Sequence, residues 1–236
     1  MLEWICAPDK IDSRGKVLTP ADWMQIGCEA GQGRKQVGLA ATGGCSEAMV
    51  TAVTAGILST GADVWDFGRL SFPEFRCCVM TARPSLALLL TSPRTARMLS
   101  PQGETVFPVG RFFAQQNTSG QRLPMENLRS MYPIRLLKAA SCSLEGLHIT
   151  VSCSNVMLEV LLQQVLFQLG ASPGPDWRLE LAASGERIRL IRDDCCCWEE
   201  TAADGDGPAL AVALLSRLAA GTLLPHAAEQ PQQAGV

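Results

Sequence analysis

Ser85-Leu86-Ala87-Leu88-Leu89-Leu90 is apolar on both faces after its first residue, and a strand of that kind belongs in the middle of a sheet covered by helices on both sides. The residues before it supply those layers. Ser46-Glu47 opens a helix whose apolar positions Met49, Val50, Val53, Ile57 and Leu58 recur at helical spacing until Gly61 ends it. Ala62 to Phe67 follows as a strand, and a further helix starting near Pro73 carries Phe75, Cys78 and Val79 until Pro84 closes it. Upstream, Thr19-Pro20-Ala21-Asp22 places a capping threonine, a proline at the first helical position and an acid in the first turn. That pattern predicts a helix running to Gly31, ahead of a strand at Gln36 to Thr42. Strict alternation implies parallel pairing through right-handed crossovers, so the first half is expected to be a three-layer α/β domain with a parallel sheet. Its edge is placed at a short strand, Glu104 to Phe107.

Polar turn formers at Gln115 to Pro124 read as a loop, Met125 to Lys138 as a closing helix broken at Pro133, and Ala139 to Glu145 as an interdomain connection. The second half restarts with a strand, Leu147 to Cys153, and a helix that buries Val156, Leu158, Leu161, Leu162, Val165, Leu166 and Leu169 before stopping at Gly170. Two strands, Arg178 to Ala182 and Arg187 to Arg192, lead to a final helix at Asp204 to Ala220. The expected division is a first domain over 1–138, a smaller and trimmed α/β domain over 145–224, and a disordered tail over 225–236.

Composition narrows the function. Twenty Lys and Arg against 23 Asp and Glu leave a net charge of -3, which gives no global attraction to nucleic acid or anionic lipid. Neither is expected as a partner. Leu86 to Leu90 is too short to span a bilayer, and Leu158 to Leu169 is interrupted by Glu159, Gln163, Gln164 and Gln168. Met1 to Lys10 carries Glu3 and Asp9 and no apolar export core, so a cytoplasmic location is expected. Ten cysteines include the adjacent pair Cys77-Cys78 and the run Cys195-Cys196-Cys197, placed at a hairpin turn, and this is not the spacing of a disulfide framework.

Arg14-Gly15-Lys16-Val17 with Leu18-Thr19-Pro20, then Ser46 through Val64 with Asp66 and Gly68, then Ser71-Phe72-Pro73 and Leu88-Leu89-Leu90-Thr91, stand in a recognisable order. They continue with Leu144-Glu145-Gly146-Leu147, Leu166 to Ala171, Arg187 to Ile191 and Asp204-Gly205-Asp206. Over Arg14 to Leu218 this order resembles the α-D-phosphohexomutases, the family of phosphoglucomutase, phosphomannomutase and phosphoglucosamine mutase, in truncated and degenerate form. The resemblance implies isomerase chemistry: intramolecular phosphoryl transfer on a hexose phosphate through a phosphoserine, with Mg²⁺ held by an Asp-Gly-Asp-Gly-Asp-Arg loop. It covers the first family domain and a shortened second.

Tested against that chemistry, the residues fall short. The family's Thr-Ala-Ser-His-Asn-Pro loop is replaced by Thr91-Ser92-Pro93-Arg94-Thr95-Ala96, which puts Pro93 at the serine and leaves Ser92, the one candidate catalytic residue, a position off. A one-residue shift at a strand end points a side chain to the opposite side. Where the metal loop is expected, Ala183-Ser184-Gly185-Glu186 offers one carboxylate, and Asp204-Gly205-Asp206 precedes an apolar helical run and so reads as a helix cap. No metal ligand set is assigned, and Mg²⁺ is expected only on an enzymatic reading. Arg14, matched to the family's opening arginine, and Arg94 and Arg97, placed just past the sheet's C-terminal edge, are candidates for holding a phosphate or sugar bidentately; each also reads as an ordinary solvated arginine.

The expectation is therefore a phosphohexomutase-like protein without catalysis, a pseudoenzyme acting as a binding or assembly partner. Its partners would be a hexose phosphate and either a second copy of itself or another protein covering surface that later domains would occupy. The alternative is an active phosphoglucomutase- or phosphomannomutase-type enzyme with a reduced or partner-completed site built from Ser92, Glu186 and the Asp204/Asp206 pair.

Overall fold

The computed structural model describes residues 5–7, 10–12, 17–106 and 119–222, and the chain divides into two compact units, Met1–Tyr132 and Pro133–Val236. The first runs β1 (Ile5–Ala7), β2 (Lys10–Asp12), α1 (Pro20–Gly31), β3 (Gln36–Ala41), α2 (Glu47–Leu58), β4 (Asp63–Arg69), α3 (Phe72–Ala82), β5 (Leu86–Ser92), β6 (Thr95–Leu99), β7 (Arg122–Pro124) and a 3-10 turn at Glu126–Ser130. α4 (Met131–Ala139) crosses the division, and β8 (His148–Cys153), α5 (Val156–Gln168), β9 (Ser172–Leu181), β10 (Arg187–Arg192), β11 (Cys195–Thr201) and α6 (Gly207–Ala219) complete the second.

Local chemistry sets the helix starts. The Thr19 hydroxyl accepts from Asp22 N at 3.3 Å while the Asp22 carboxylate accepts from Thr19 N at 2.8 Å, so two otherwise orphaned donors at the start of α1 are satisfied. Glu74 does the same for α3, accepting from Ser71 N at 2.9 Å and from the Ser71 hydroxyl at 2.6 Å. Ser46 caps α2 through Met49 N.

In the first unit the strand order is β1-β2-β6-β5-β3-β4-β7. Leu86, Leu88 and Leu90 of β5 pack with α1 and α2 on one face, and Ala87 and Leu89 pack with Phe75, Cys78 and Val79 of α3 on the other. The three layers are those the apolar run predicted. The sheet, however, is mixed: β3 pairs parallel with β4 and β5, and β4 with β7, whereas β6 is antiparallel to β5, β2 to β6 and β1 to β2. The expectation of a parallel sheet fails at Pro93-Arg94. Ser92 pairs with Thr95, leaving a two-residue turn that no helical crossover could fit, so the chain returns directly as β6.

Smaller differences share this origin in turns. The expected edge strand near Glu104 reduces to a single bridge between Leu99 and Thr105, Phe107 lying outside the described residues. The polar loop ending at Pro124 finishes as β7, whose proline is tolerated because this strand ends the sheet. Pro133 does not break α4, since it lies in the first turn, where a missing N–H costs nothing.

The second unit has the strand order β11-β10-β9-β8, with β8 and β9 parallel and the others antiparallel. α5 and α6 pack on each other and on one face of this sheet, over alternate residues such as Ile149, Val151, Leu179, Leu181, Ile188 and Leu190. The other face carries Arg178, Glu180, Arg187, Arg189 and Glu199 in ion pairs of 3.2 to 3.6 Å. Cys195–Cys197 begin β11 instead of forming its turn, which falls on Asp193 and Asp194 at φ 50° and 59°. Two consecutive positive φ values give the turn twist that matches two antiparallel strands. The expected tail over 225–236 lies outside the described residues.

α1 and α2 meet at backbone distance. A Cβ on Gly27 would lie 2.2 Å from Val53 O, and one on Gly56 would lie 2.1 Å from Met24 O. Gly56→Ala is therefore expected to lower unfolding stability by about 1–3 kcal/mol in urea titrations, whereas Gly43→Ala, whose added carbon meets nothing within 4 Å, should not suffer this overpacking.

Candidate functional site

Open α/β sheets bind ligands beyond the carboxyl ends of their parallel strands, and in the first unit those ends belong to β3, β4, β5 and β7. The end of β3 is tied to that of β5: Thr42 N donates to Leu90 O at 2.9 Å, the Thr42 hydroxyl to Thr91 O at 2.9 Å, and the Cys45 thiol to Leu90 O at 3.2 Å. Burial pushes the Cys45 thiol above its ordinary range, which agrees with its donating to Leu90 O. Arg69, at the end of β4, holds the same loop by donating Nη1 to Thr42 O at 2.9 Å and to Cys45 O at 2.8 Å, and Nη2 to Glu47 at 3.2 Å.

Ser92 closes the β5–β6 hairpin. Its Oγ lies 2.7 Å from the Thr95 hydroxyl and accepts from Arg94 N at 3.1 Å. The Thr91 hydroxyl reaches the same Thr95 group at 2.7 Å and Thr95 O at 3.0 Å. The strand register slips between Leu90 and Ser92, so Thr91 is a bulge residue and both β5 hydroxyls converge on Thr95. Pro93 and Arg94 form the exposed tip. Arg97 is not past the sheet's edge: it sits within β6 opposite Leu89, with its guanidinium carbon 4.3 Å from the centroid of the Phe72 ring. Arg14 lies outside the described residues.

At the ends of β3 and β4 lies a cavity of about 360 Å³ whose lining includes three arginines and three carboxylates, Arg69, Arg122, Arg129, Glu47, Asp66 and Glu126. Asp66 is the hub. Its Oδ1 accepts from Gly68 N at 2.9 Å and its Oδ2 accepts from Arg122 Nε at 2.9 Å. Gly68, at φ 78°, follows a bulge in β4 that sends Phe67 into the core and lets the chain turn back toward Asp66. Arg69 and Arg122 are thus paired internally, whereas Arg129 makes no ion pair with a described residue. Among the described residues it is the arginine of this cavity without a carboxylate partner, and a guanidinium is chemically able to hold a phosphate. Nearby, burial pushes the Cys78 thiol up to about 12, with Cys77 and Glu74 reinforcing the shift and Arg129 opposing it.

Among the described residues no group of three or more His, Cys, Asp or Glu side chains comes together to hold a metal ion. The residues standing where the resemblance implies a Mg²⁺ loop are engaged in turns, caps and an ion pair. Ala183 to Glu186 forms a tight turn whose Gly185 O accepts from Gly207 N at 2.8 Å. Asp206 caps α6 through Ala209 N at 3.2 Å, Asp204 accepts from Asp206 N at 3.1 Å, and Arg135 approaches the two carboxylates to 3.8 and 3.4 Å. No helix among the described residues is long and apolar enough to cross a membrane.

Compared with known proteins, the fold is similar to a phosphoglucomutase/phosphomannomutase family protein from Burkholderia thailandensis, at a TM-score of 0.61 and 16% identity over 80% of this chain and 54% of that one. It is also similar to a protein of Thermus thermophilus with a provisional assignment as a phosphomannomutase, at 0.56 and 14% over 76% and 55%. The chain spans about half the length of these structures, and at such identity the likeness is one of fold. No family model matches the chain, and no curated protein matches it in sequence.

Two outcomes follow from this geometry. Ser92→Ala removes hydrogen bonds that close the hairpin and should cost about 1 kcal/mol of unfolding stability in denaturant titrations. Native maleimide labelling at mildly alkaline pH, read by mass spectrometry, should modify exposed Cys195 and Cys196 first; buried Cys45, Cys78 and Cys153, whose raised pKa keeps their thiolate fraction small, should react only after unfolding.

Proposed function

We propose that this chain is a phosphohexomutase-like protein that binds a phosphorylated sugar without transferring its phosphoryl group, and that acts as an assembly partner. The observation that carries this reading is the state of Ser92. Its hydroxyl is engaged by Thr95 and by Arg94 N within a two-residue hairpin. Phosphoryl transfer needs a nucleophile free to sit in line with the reacting phosphorus, and a hydroxyl closing a turn is not so placed. The cavity at the ends of β3 and β4 offers arginine, which can hold a phosphate dianion without a metal.

In this reading 1–138 stands for the first family domain, 145–224 for a shortened second and 225–236 for a tail. Arg129 and Arg94 are the foremost phosphate contacts, with Arg14 at the chain's opening; Arg97 contributes least because its guanidinium already stacks on Phe72.

A thermal-shift panel of hexose phosphates with and without Mg²⁺ tests the reading. A ligand at about 100 times its dissociation constant stabilises the folded state by about 2.7 kcal/mol, and for a chain of this size that raises the midpoint by several degrees. The expected result is a shift with at least one hexose phosphate, independent of Mg²⁺ and diminished in Arg129→Ala, with no mutase turnover in the same samples. Turnover on glucose or mannose phosphates that Ser92→Ala abolishes would instead establish an enzyme.

A further inference from the structure

The cavity at the ends of β3 and β4 carries as many carboxylates as arginines, and this limits what it can hold. Glu47, Asp66 and Glu126 offset Arg69, Arg122 and Arg129 in formal charge. A bare phosphate dianion meets no net positive charge there, so Coulomb attraction alone holds it weakly. A guest of useful affinity needs a second contact besides its anionic end.

The pairing inside the cavity shows where that contact lies. Arg122 is engaged by Asp66, and Arg69 by Glu47 at 3.2 Å. Among the described residues one cation and one anion remain: Arg129 makes no ion pair, and the Glu126 carboxylate makes neither an ion pair nor a hydrogen bond. Both belong to the 3-10 turn Glu126–Ser130 that follows β7. Positions i and i+3 of such a turn eclipse one another, about 6 Å apart along its axis. Glu126 and Arg129 therefore stand on one side of the turn, and both line the cavity without being joined to each other. Ala40, Ala41 and Val50 contribute apolar groups to the same lining.

We propose that Glu126 is the specificity-determining residue of this cavity, its carboxylate accepting the hydroxyls of a hexose whose phosphate Arg129 holds. The proposal rests on the reading of the protein as a binder of a phosphorylated sugar, and names the group that tells such a sugar from phosphate alone. The chemistry is complementary at both ends. An ionised carboxylate only accepts and has room for several donors, which neighbouring sugar hydroxyls present side by side. A guanidinium only donates, and suits the oxygens of a phosphate ester. The C–H face of the ring meets Ala40, Ala41 and Val50. A phosphate without hydroxyl-bearing carbons makes no use of Glu126, and the negative charge there repels it. One carboxylate thus favours the sugar ester and opposes the simpler anion, so discrimination comes from attraction and repulsion together.

Isothermal titration calorimetry of the full chain tests this with a panel of glucose and mannose phosphates and with methyl phosphate, an ester that has no hydroxyl. At least one hexose phosphate should bind at least about tenfold more tightly than methyl phosphate. Glu126→Ala, at an exposed position, should weaken that hexose phosphate at least about tenfold while methyl phosphate binds equally or more tightly, a nearby negative charge having gone. Glu126→Gln, whose amide oxygen still accepts a hydroxyl, should fall between, and Arg129→Ala should weaken both ligands. Circular dichroism spectra and cooperative melts of the variants should match the wild type. The opposite directions matter, because a carboxylate that merely repelled anions would, once removed, tighten both ligands. A hexose phosphate held no better than methyl phosphate, or held as well or better by Glu126→Ala, overturns the proposal and leaves the functional reading standing. A wild-type chain that binds no hexose phosphate sinks the functional reading, and this inference with it.

Discussion

Leu86 to Leu90 carry no polar side chain on either face, and enclosing them leaves their peptide groups with partners only in neighbouring strands. That constraint organises the first unit. β3 must lie along one side of β5, and a second strand must lie along the other. The chain provides it at once by turning back at Pro93-Arg94 as β6. The helices are then obliged to cover both faces, and the close glycine contact between α1 and α2 lets two of them share one face. The second unit meets the same demand less completely. Its sheet buries one face under α5 and α6 and balances the other with charge pairs, and among the described residues β8 is the last strand of that sheet.

The elements readable in the sequence were those whose signals are local. Thr19 with Asp22, Ser46 and Asp206 mark helix starts because a cap is made within three residues, and the all-apolar β5 announces its own burial. β6 was not legible. Thr95, Arg97 and the preceding Pro93-Arg94 read as loop chemistry, and only pairing against β5 makes the segment a strand. β11 was hidden for a similar reason, since three cysteines and two glutamates carry no alternation. β7 is three residues with a proline, and it exists because Asp66 and its neighbours offer an edge.

The candidate site divides in the same way. Ser92 could be picked out by its place after an apolar strand, although its hydrogen-bonding to Thr95 could not. Arg69, Arg122 and Arg129 were invisible as a set, being separated by long stretches of sequence and gathered only by the parallel pairing of β4 with β7 and the 3-10 turn that follows. Their inequivalence was equally hidden. Asp66 takes Arg122 and Glu47 takes Arg69, and this internal accounting, not the number of arginines, sets Arg129 apart as the one of the three without an ion pair among the described residues.

Arg69 is a fastener as much as a cation. By holding the carbonyls of Thr42 and Cys45 it fixes the segment between β3 and α2 before anything arrives there. A rim set in advance does not have to be ordered by its guest, so little conformational entropy is lost on association. Selectivity there would be that of a preorganised mould, rejecting what does not fit instead of reshaping to admit it.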